Sequence, residues 1–303
     1  MAVSRLKLHE TGPECSRLAL GFWRLAERNM RGDDIRVLLH ASVELGITTL
    51  DHADVYGDYA CQRLFGAALA EEPSLRDSFE IVGKCGIQLL SRSRPAHRLK
   101  HYDTSRAHIL TSVDNSLREL RCGYLDLLLI HRPDPLMDAD EMASAFCALL
   151  ASGKVRHFGV SNFCPSQLEL LASRLDFPLV TNQIEISVLK LDTMLDGTLD
   201  QCQRLRIAPM AWSPLGGGQL FDGDDERVVR VRAALSSLVE EIGGASLDQA
   251  ALAFLLTHPA RIVPVVGSGK IERLRAAAAA DAIRLTRQQW FSIWRASTGA
   301  DVP

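Results

Sequence analysis

The stretch YLDLLLIH, residues 124–131, decides the fold because it is a short apolar run set between two longer helical patterns. Those patterns lie near 104–121 and 138–153, and the alternation is typical of parallel βαβ units. In both directions along the chain, further runs rich in Leu or β-branched residues alternate with helical segments in the same manner. The candidate strands are residues 17–22, 48–54, 79–86, 124–131, 155–162, 180–186, 207–214 and 261–267.

Eight such units predict an α/β protein whose strands close into a (β/α)8 TIM barrel. The other helical patterns lie near 33–46, 60–72, 165–175, 192–206, 246–259 and 270–281. Three segments are additional to the eightfold pattern: an N-terminal β-hairpin over 6–14 and two extra helices near 225–243 and 286–298. No Pro-, Gly- or Ser-rich linker divides the chain, so we expect a single domain over residues 1–303.

The composition is that of an ordinary globular protein, with 303 residues of which 47% are hydrophobic and 23% charged. A net charge of -3 gives no bulk electrostatic reason to expect a nucleic-acid or membrane partner. The first residues lack a signal-peptide pattern and no apolar run is long enough to span a bilayer, so we expect a cytoplasmic protein, as a monomer or weak oligomer. The seven cysteines never form a CxxC pair, which predicts reduced thiols and no metal site.

Polar residues end three successive apolar strands: Asp51 in the second, Lys84 in the third and His131 in the fourth. In a TIM barrel the chemistry lies at the C-terminal ends of the strands, so these side chains are expected to converge at one mouth. Lys and Asp are almost never buried without a partner. We therefore expect Asp51 and Lys84, on neighbouring strands, to form an ion pair.

Tyr56 follows Asp51 closely and completes a chemically sensible group. An isolated tyrosine has a pKa of about 10, but a nearby ammonium such as that of Lys84 favours the phenolate and lowers the pKa. His131 would offer a second hydrogen bond to a carbonyl oxygen that gains negative charge. The four residues predict an electrophilic site for C=O reduction.

The motifs around these residues resemble those of the aldo-keto reductase superfamily. They are DHADVYG (51–57), IVGKCG (81–86) and LLLIHRPDP (127–135), in the expected order along the chain. The resemblance implies NADPH-dependent reduction of an aldehyde or ketone to an alcohol, with a small-molecule carbonyl as substrate. It assigns Tyr56 as general acid/base, Lys84 as the cation that lowers its pKa, Asp51 as the partner of Lys84, and His131 as the donor that orients the substrate.

The resemblance extends to the elements that bind NADP(H). GVSNF (159–163) and TNQIEIS (181–187) are similar to the carboxamide-binding elements, MAWSPLGGG (210–218) to the segment that stacks on the nicotinamide and follows the pyrophosphate, and GSGKIER (267–273) to the 2′-phosphate loop. Ala276 and Ala277 depart from the usual Glu-Asn that contacts the adenosine. The implied cofactor-binding residues are Gly21, Phe22, Ser161, Asn162, Gln183, Trp212, Ser213, Pro214, Leu215, Gly217, Ser268, Lys270 and Arg273.

The substrate pocket is expected between the βα loops, with Trp23, Val55 and Phe163 as wall residues together with the stretch 87–101. This stretch carries Arg92, Arg94, Arg98 and Lys100, which would attract an acidic substrate or be solvated. The GFWRL run also places Phe22 beside Tyr56 at the mouth.

Three other functions fit parts of this pattern. An NADP(H)-binding regulatory or redox-sensor subunit with little turnover remains open, because the four residues alone do not exclude it. A short-chain dehydrogenase would need Tyr-x-x-x-Lys, and Ala60 stands four residues after Tyr56. A Schiff-base aldolase using Lys84 would leave Tyr56 and the nicotinamide motifs unexplained.

Overall fold

The computed structural model describes residues 2–302, so the end positions 1 and 303 of the predicted domain lie outside it. Within this range the strands are β1 (Arg5–Lys7), β2 (Glu14–Ser16), β3 (Ala19–Gly21), β4 (Thr49–Asp51), β5 (Glu80–Cys85), β6 (Ile87–Gln88), β7 (His101–Tyr102), β8 (Leu125–Ile130), β9 (Val155–Ser161), β10 (Leu179–Glu185), β11 (Met210–Trp212) and β12 (Val263–Val266). Eight of these, β3, β4, β5, β8, β9, β10, β11 and β12, pair in that order and close into a parallel barrel. The predicted TIM barrel is confirmed.

The helices follow the strands as the periodicity predicts. Over residues 2–302 they are α1 (Gly32–Glu44), α2 (Tyr56–Tyr59), α3 (Cys61–Glu71), α4 (Arg106–Leu120), α5 (Ala139–Ala151), α6 (Pro165–Ala172), α7 (Thr198–Arg204), α8 (Gln219–Asp222), α9 (Glu226–Ile242), α10 (Leu247–Leu256), α11 (Ile271–Ala279) and α12 (Arg287–Thr298). Some helices begin at a side-chain cap, as where Asp138 accepts hydrogen bonds from the backbone N–H groups of Asp140 and Glu141. No helix in this range is both long enough and apolar enough to cross a membrane.

The predicted additions to the barrel are present. Strands β1 and β2 form an antiparallel hairpin, and Leu8 between them is fully buried against barrel residues such as Val82 and Leu127. The hairpin thus closes the amino end of the barrel. The two extra helices, α9 and α12, pack against each other, and Trp290 of α12 stacks on Phe254 with ring centroids 4.6 Å apart.

Two segments differ from the predicted outline. The stretch 87–101 is bounded by the small antiparallel sheet of β6 and β7, whose two-residue strands are too short to show a periodicity. The helix expected near 192–206 begins only at Thr198. Gly197, with a φ of 87°, takes the left-handed conformation at its start, and a separate 3₁₀ turn covers Asp192–Met194.

Candidate active site

The barrel brings the four predicted catalytic residues together at its carboxyl end. Asp51 is the last residue of β4, Lys84 lies in β5, and His131 directly follows β8. Tyr56 begins α2, a tight turn in which Gly57 has a φ of 59°. A Cβ on Gly57 would lie 2.7 Å from the Cβ of Ala26, so only glycine lets the chain turn here and place Tyr56 over the strand ends.

The ammonium group of Lys84 is buried, and it uses its donors on three oxygen atoms. Its Nζ lies 2.7 Å from Oδ1 of Asp51 and donates to the hydroxyl of Tyr56 at 2.9 Å and to the carbonyl of His52 at 3.0 Å. Burial lowers the pKa of Lys84, and the charge of Asp51 opposes this effect. The predicted ion pair is therefore present and links the carboxylate to the phenol.

Asp51 is held by two further contacts. Nε2 of Gln183 donates to Oδ1 of Asp51 at 2.8 Å, and the hydroxyl of Tyr56 lies 3.5 Å from Oδ2. Both carboxylate oxygens thus face donors, as a buried charge requires. Gln183 comes from β10, on the other side of the barrel, so the network spans the barrel mouth.

Tyr56 is a neutral phenol in this environment. Burial, followed by the charge of Asp51, holds the pKa of Tyr56 well above its ordinary value, and the charge of Arg132 acts in the opposite direction. The proximity of Lys84 alone predicts a lowered pKa for Tyr56. In the free chain that expectation is wrong, since desolvation of the phenolate outweighs the cation. The hydroxyl consequently keeps its proton at neutral pH.

His131 is neutral as well. Burial, then the charges of Lys84 and Arg132, hold the pKa of His131 well below its ordinary value. Its ring lies edge-on to Tyr56, with centroids 5.7 Å apart, and its Nδ1 is buried without a hydrogen-bond partner in residues 2–302. A neutral imidazole offers one N–H donor beside the phenol.

A cavity of about 920 Å³ opens above these residues and runs from the mouth of the barrel to the start of α11. This volume is in the range of small-molecule and cofactor sites. The predicted residues that line it are Gly21, Trp23, Asp51, Val55, Tyr56, His131, Ser161, Asn162, Gln183, Trp212, Ser213, Pro214, Leu215, Gly217, Ser268 and Arg273.

The predicted carboxamide-binding residues form one hydrogen-bonded chain along the cavity wall. Trp212 Nε1 donates to Oδ1 of Asn162 at 2.9 Å, and Nδ2 of Asn162 donates to Oγ of Ser161 at 2.7 Å. Ser161 in turn donates to the backbone carbonyl of Gln183 at 2.8 Å. The guanidinium of Arg132 lies over the Trp212 ring at 5.1 Å. The wall is thus fixed by the protein itself.

Four predicted site residues do not line the cavity. Lys84 is fully buried and contacts the hydroxyl of Tyr56, which does line it. Phe22 is fully buried and stacks on His52, with ring centroids 4.6 Å apart and an angle of 6°. Phe163 is buried in the main hydrophobic core, and Lys270 is exposed at the start of α11. Gly21 and Trp23, on either side of Phe22, do line the cavity. Phe22 does not, because alternate side chains of an extended segment face opposite sides. The two phenylalanine assignments are corrected accordingly.

The cavity also contains side chains that were not expected. Arg24 and Arg28 reach it from the loop after β3, and Arg132 reaches it from the position after His131. Of the basic residues expected in the 87–101 stretch, Lys100 lines the cavity, whereas Arg94 lies over the ring of Tyr59 at 4.5 Å. For Arg132 a sequence signal existed, since it directly follows the predicted His131.

Comparison with known proteins gives consistent matches over nearly the whole chain. A sequence model of the Aldo/keto reductase family matches residues 17–297. The chain is 55% identical to the uncharacterized oxidoreductase YcsN of Bacillus subtilis, covering 95% of this chain and 96% of that protein. It is 45% identical to a 6-dehydroglucose reductase of Agrobacterium fabrum, with coverage of 95% and 96%. A crystal structure of an aldo/keto reductase from Klebsiella pneumoniae in complex with NADP and acetate superposes with a TM-score of 0.75 at 25% identity, covering 96% of this chain and 95% of that one.

Proposed function

We propose, from the premise that this chain belongs to the aldo/keto reductase family, that it uses NADPH to reduce an aldehyde or ketone to an alcohol. The observation that carries the proposal is the buried contact of the Lys84 ammonium with both Asp51 and Tyr56, facing a cavity of about 920 Å³. A neutral phenol that is hydrogen-bonded to a buried cation is a proton donor whose anionic form is stabilised as soon as the proton leaves.

The cavity fits a dinucleotide by its shape and by the polar groups at its two ends. Ser161, Asn162 and Gln183 would hold the carboxamide, and Trp212 would lie against the ring. Backbone N–H groups between 213 and 217 would follow the pyrophosphate, with Ser268 and Arg273 at the 2′-phosphate. When bound, NADPH supplies the hydride that the carbonyl carbon receives.

The protein's own residues then handle the proton and the charge on oxygen. Tyr56 donates its proton to the carbonyl oxygen, and Lys84 stabilises the phenolate that remains. Neutral His131 donates a hydrogen bond to the same oxygen and orients it. Burial lowers the pKa of Lys84 and so favours its neutral form. The charge of Asp51 acts against this effect and keeps Lys84 charged.

Within this reaction we propose a sugar-like aldehyde as substrate. The name of the Agrobacterium fabrum relative, 45% identical, supports this class. The half-exposed indole of Trp23 and the cationic donors of Lys100 and Arg132 line the same cavity as Tyr56. An aromatic plane with several hydrogen-bond donors suits a polar carbonyl compound that carries hydroxyl groups.

The test is Tyr56→Phe, compared with the unmodified protein for NADPH binding and for NADPH consumption with sugar aldehydes, simple aldehydes and ketones. We expect kcat to fall by about 10²- to 10⁴-fold, the usual contribution of a general acid, while the Kd for NADPH stays within about twofold. Unmodified protein that binds NADPH tightly but consumes none with any carbonyl would contradict an enzymatic role and favour the regulatory subunit.

A further inference from the structure

Arg28 lies outside every motif discussed above, at the end of a 3₁₀ turn (Ala26–Arg28) in the loop after β3. Its side chain crosses to the loop after β12, where Nη2 donates to the backbone carbonyl of Gly267 at 2.8 Å. A Cβ on Gly269 would lie 3.0 Å from Cδ and 3.3 Å from Nη1 of Arg28. The glycine therefore leaves the room that the arginine side chain occupies.

The guanidinium is only half satisfied by these contacts. Its Nη1 is buried and has no hydrogen-bond partner anywhere in residues 2–302. Burial, then the charge of Arg24, lowers the pKa of Arg28, while the charge of Glu27 acts in the opposite direction. A buried charged donor without an acceptor is costly. An oxyanion beside Nη1 would remove that cost.

The same cavity identifies the anion. Arg28 lines it together with Gly267, Ser268 and Arg273, at the end remote from Tyr56. Lys270, expected from the sequence to bind the 2′-phosphate, does not line the cavity, whereas Arg28 does. Guanidinium groups and a hydroxyl that line the same part of a cavity are suited to a phosphate monoester.

We propose that Arg28, together with Arg273, binds the adenosine 2′-phosphate of NADPH and thereby selects NADPH over NADH. The inference rests on the proposed use of NADPH. It assigns the first βα loop, rather than the last one alone, a share in cofactor choice. Because Arg28 also holds the Gly267 carbonyl, the two loops are fixed together at the point where the phosphate binds.

The experiment measures Kd for NADPH, NADH, adenosine 2′-monophosphate and adenosine 5′-monophosphate by calorimetry. For Arg28→Met we expect a loss of about 10- to 100-fold for NADPH and adenosine 2′-monophosphate, the range of one charge-assisted hydrogen bond, and less than about twofold for the other two. Gly269→Ala retains the arginine but crowds it, and should reproduce the selective loss in weaker form.

The matched control is Arg17→Met. Arg17 is likewise largely buried and donates to a backbone carbonyl, that of Leu256 at 3.0 Å, but it does not line the cavity. Its loss should leave all four affinities within about twofold. Equal weakening of NADPH and NADH by Arg28→Met, or unchanged NADPH binding, would overturn the inference. If the unmodified chain bound neither dinucleotide, the proposed function itself would fail, and this inference with it.

Discussion

The two ends of the cavity differ in whether their buried charged groups have partners within the protein. At the barrel mouth Lys84 and Asp51 are buried and paired at 2.7 Å, and Tyr56 and Gln183 complete the network. At the start of α11, Arg28 has a buried nitrogen without a partner in residues 2–302, and Arg273 lines open cavity. The buried charges of the catalytic end are paired before any ligand arrives, whereas the unpartnered cation of the binding end would be paired by the ligand's own charge.

This difference has a physical reason. A catalytic group must be held in one protonation state and one geometry throughout the reaction, so the protein supplies all of its partners. A cation that recognises phosphate must lose its partner each time the cofactor leaves, so a permanent internal ion pair would weaken binding. Stability and affinity should therefore respond oppositely when charges at the two ends are removed.

The largest expected effect comes from Lys84→Met. The change leaves Asp51 buried without its cation, and breaking one side of a buried pair costs about 3–5 kcal/mol of unfolding free energy. Turnover should fall by about 10³-fold or more because the Tyr56 phenolate loses its stabilising charge. Urea unfolding and kcat with the best carbonyl substrate check the two parts.

The matched variant is the double change Lys84→Met with Asp51→Leu. Replacing both members of a buried pair by apolar side chains is often neutral, so most of the lost stability should return while turnover stays absent. Stability that does not recover in the double variant would show that the pair has a structural role beyond mutual neutralisation.

The catalytic end is also the part that the sequence predicts best. Asp51, Lys84 and His131 are polar residues that end apolar strands, and a strand's position in a barrel follows from the order of the βα units. The direction of the Tyr56 pKa shift could not be predicted in this way. It depends on how deeply the phenol is buried, and burial is a property of the assembled barrel.

The binding end was predicted less well for a related reason. Arg28 lies on a 3₁₀ turn without periodicity, and its partner Gly267 is 239 positions away in the chain. The positions of Phe22 and Phe163 at the ends of barrel strands predict that both lie in the site, but both are buried because neighbouring side chains face opposite sides at strand ends. Sequence motifs therefore predict which loops border the cavity. Which side chains of a loop face the cavity depends on packing in the folded protein.

An intermediate effect is expected when Lys270 and Arg273, the two cations near the start of α11, are substituted one at a time. Arg273→Ala should weaken NADPH by about 10- to 100-fold and NADH by less than about threefold, because Arg273 lines the cavity. Lys270→Ala should change both by less than about threefold, since its exposed side chain lies outside the cavity. Calorimetric Kd values decide. A larger loss of NADPH affinity from Lys270→Ala than from Arg273→Ala would return the motif's lysine to the site.

The smallest effect should come from Asp54, a buried acid that forms no salt bridge within residues 2–302. Burial raises its pKa to about 7, although Ser112 donates to its Oδ2 at 2.7 Å, and Oδ1 has no partner within residues 2–302. A folded-state pKa above the unfolded value of about 3.9 means that the folded chain binds the proton more tightly. The stability from Asp54 is therefore full below pH about 4 and is lost as the pH rises through about 7.

Asp54→Asn removes this titration and keeps the shape of the side chain. The variant should unfold at a higher urea concentration than the unmodified protein at pH about 8, and the advantage should shrink or vanish at pH about 4, where the acid is protonated in both states. Ser112→Ala is the matched variant with the opposite effect on stability at pH about 8. It removes the hydrogen bond to Asp54 and so raises the pKa of Asp54 further. An Asn variant that shifts the midpoint equally at both pH values would show that Asp54 titrates in the folded protein as it does in the unfolded chain and is ionised at pH about 8. An unpaired buried charge would then be present near the catalytic end as well as at the binding end of the cavity.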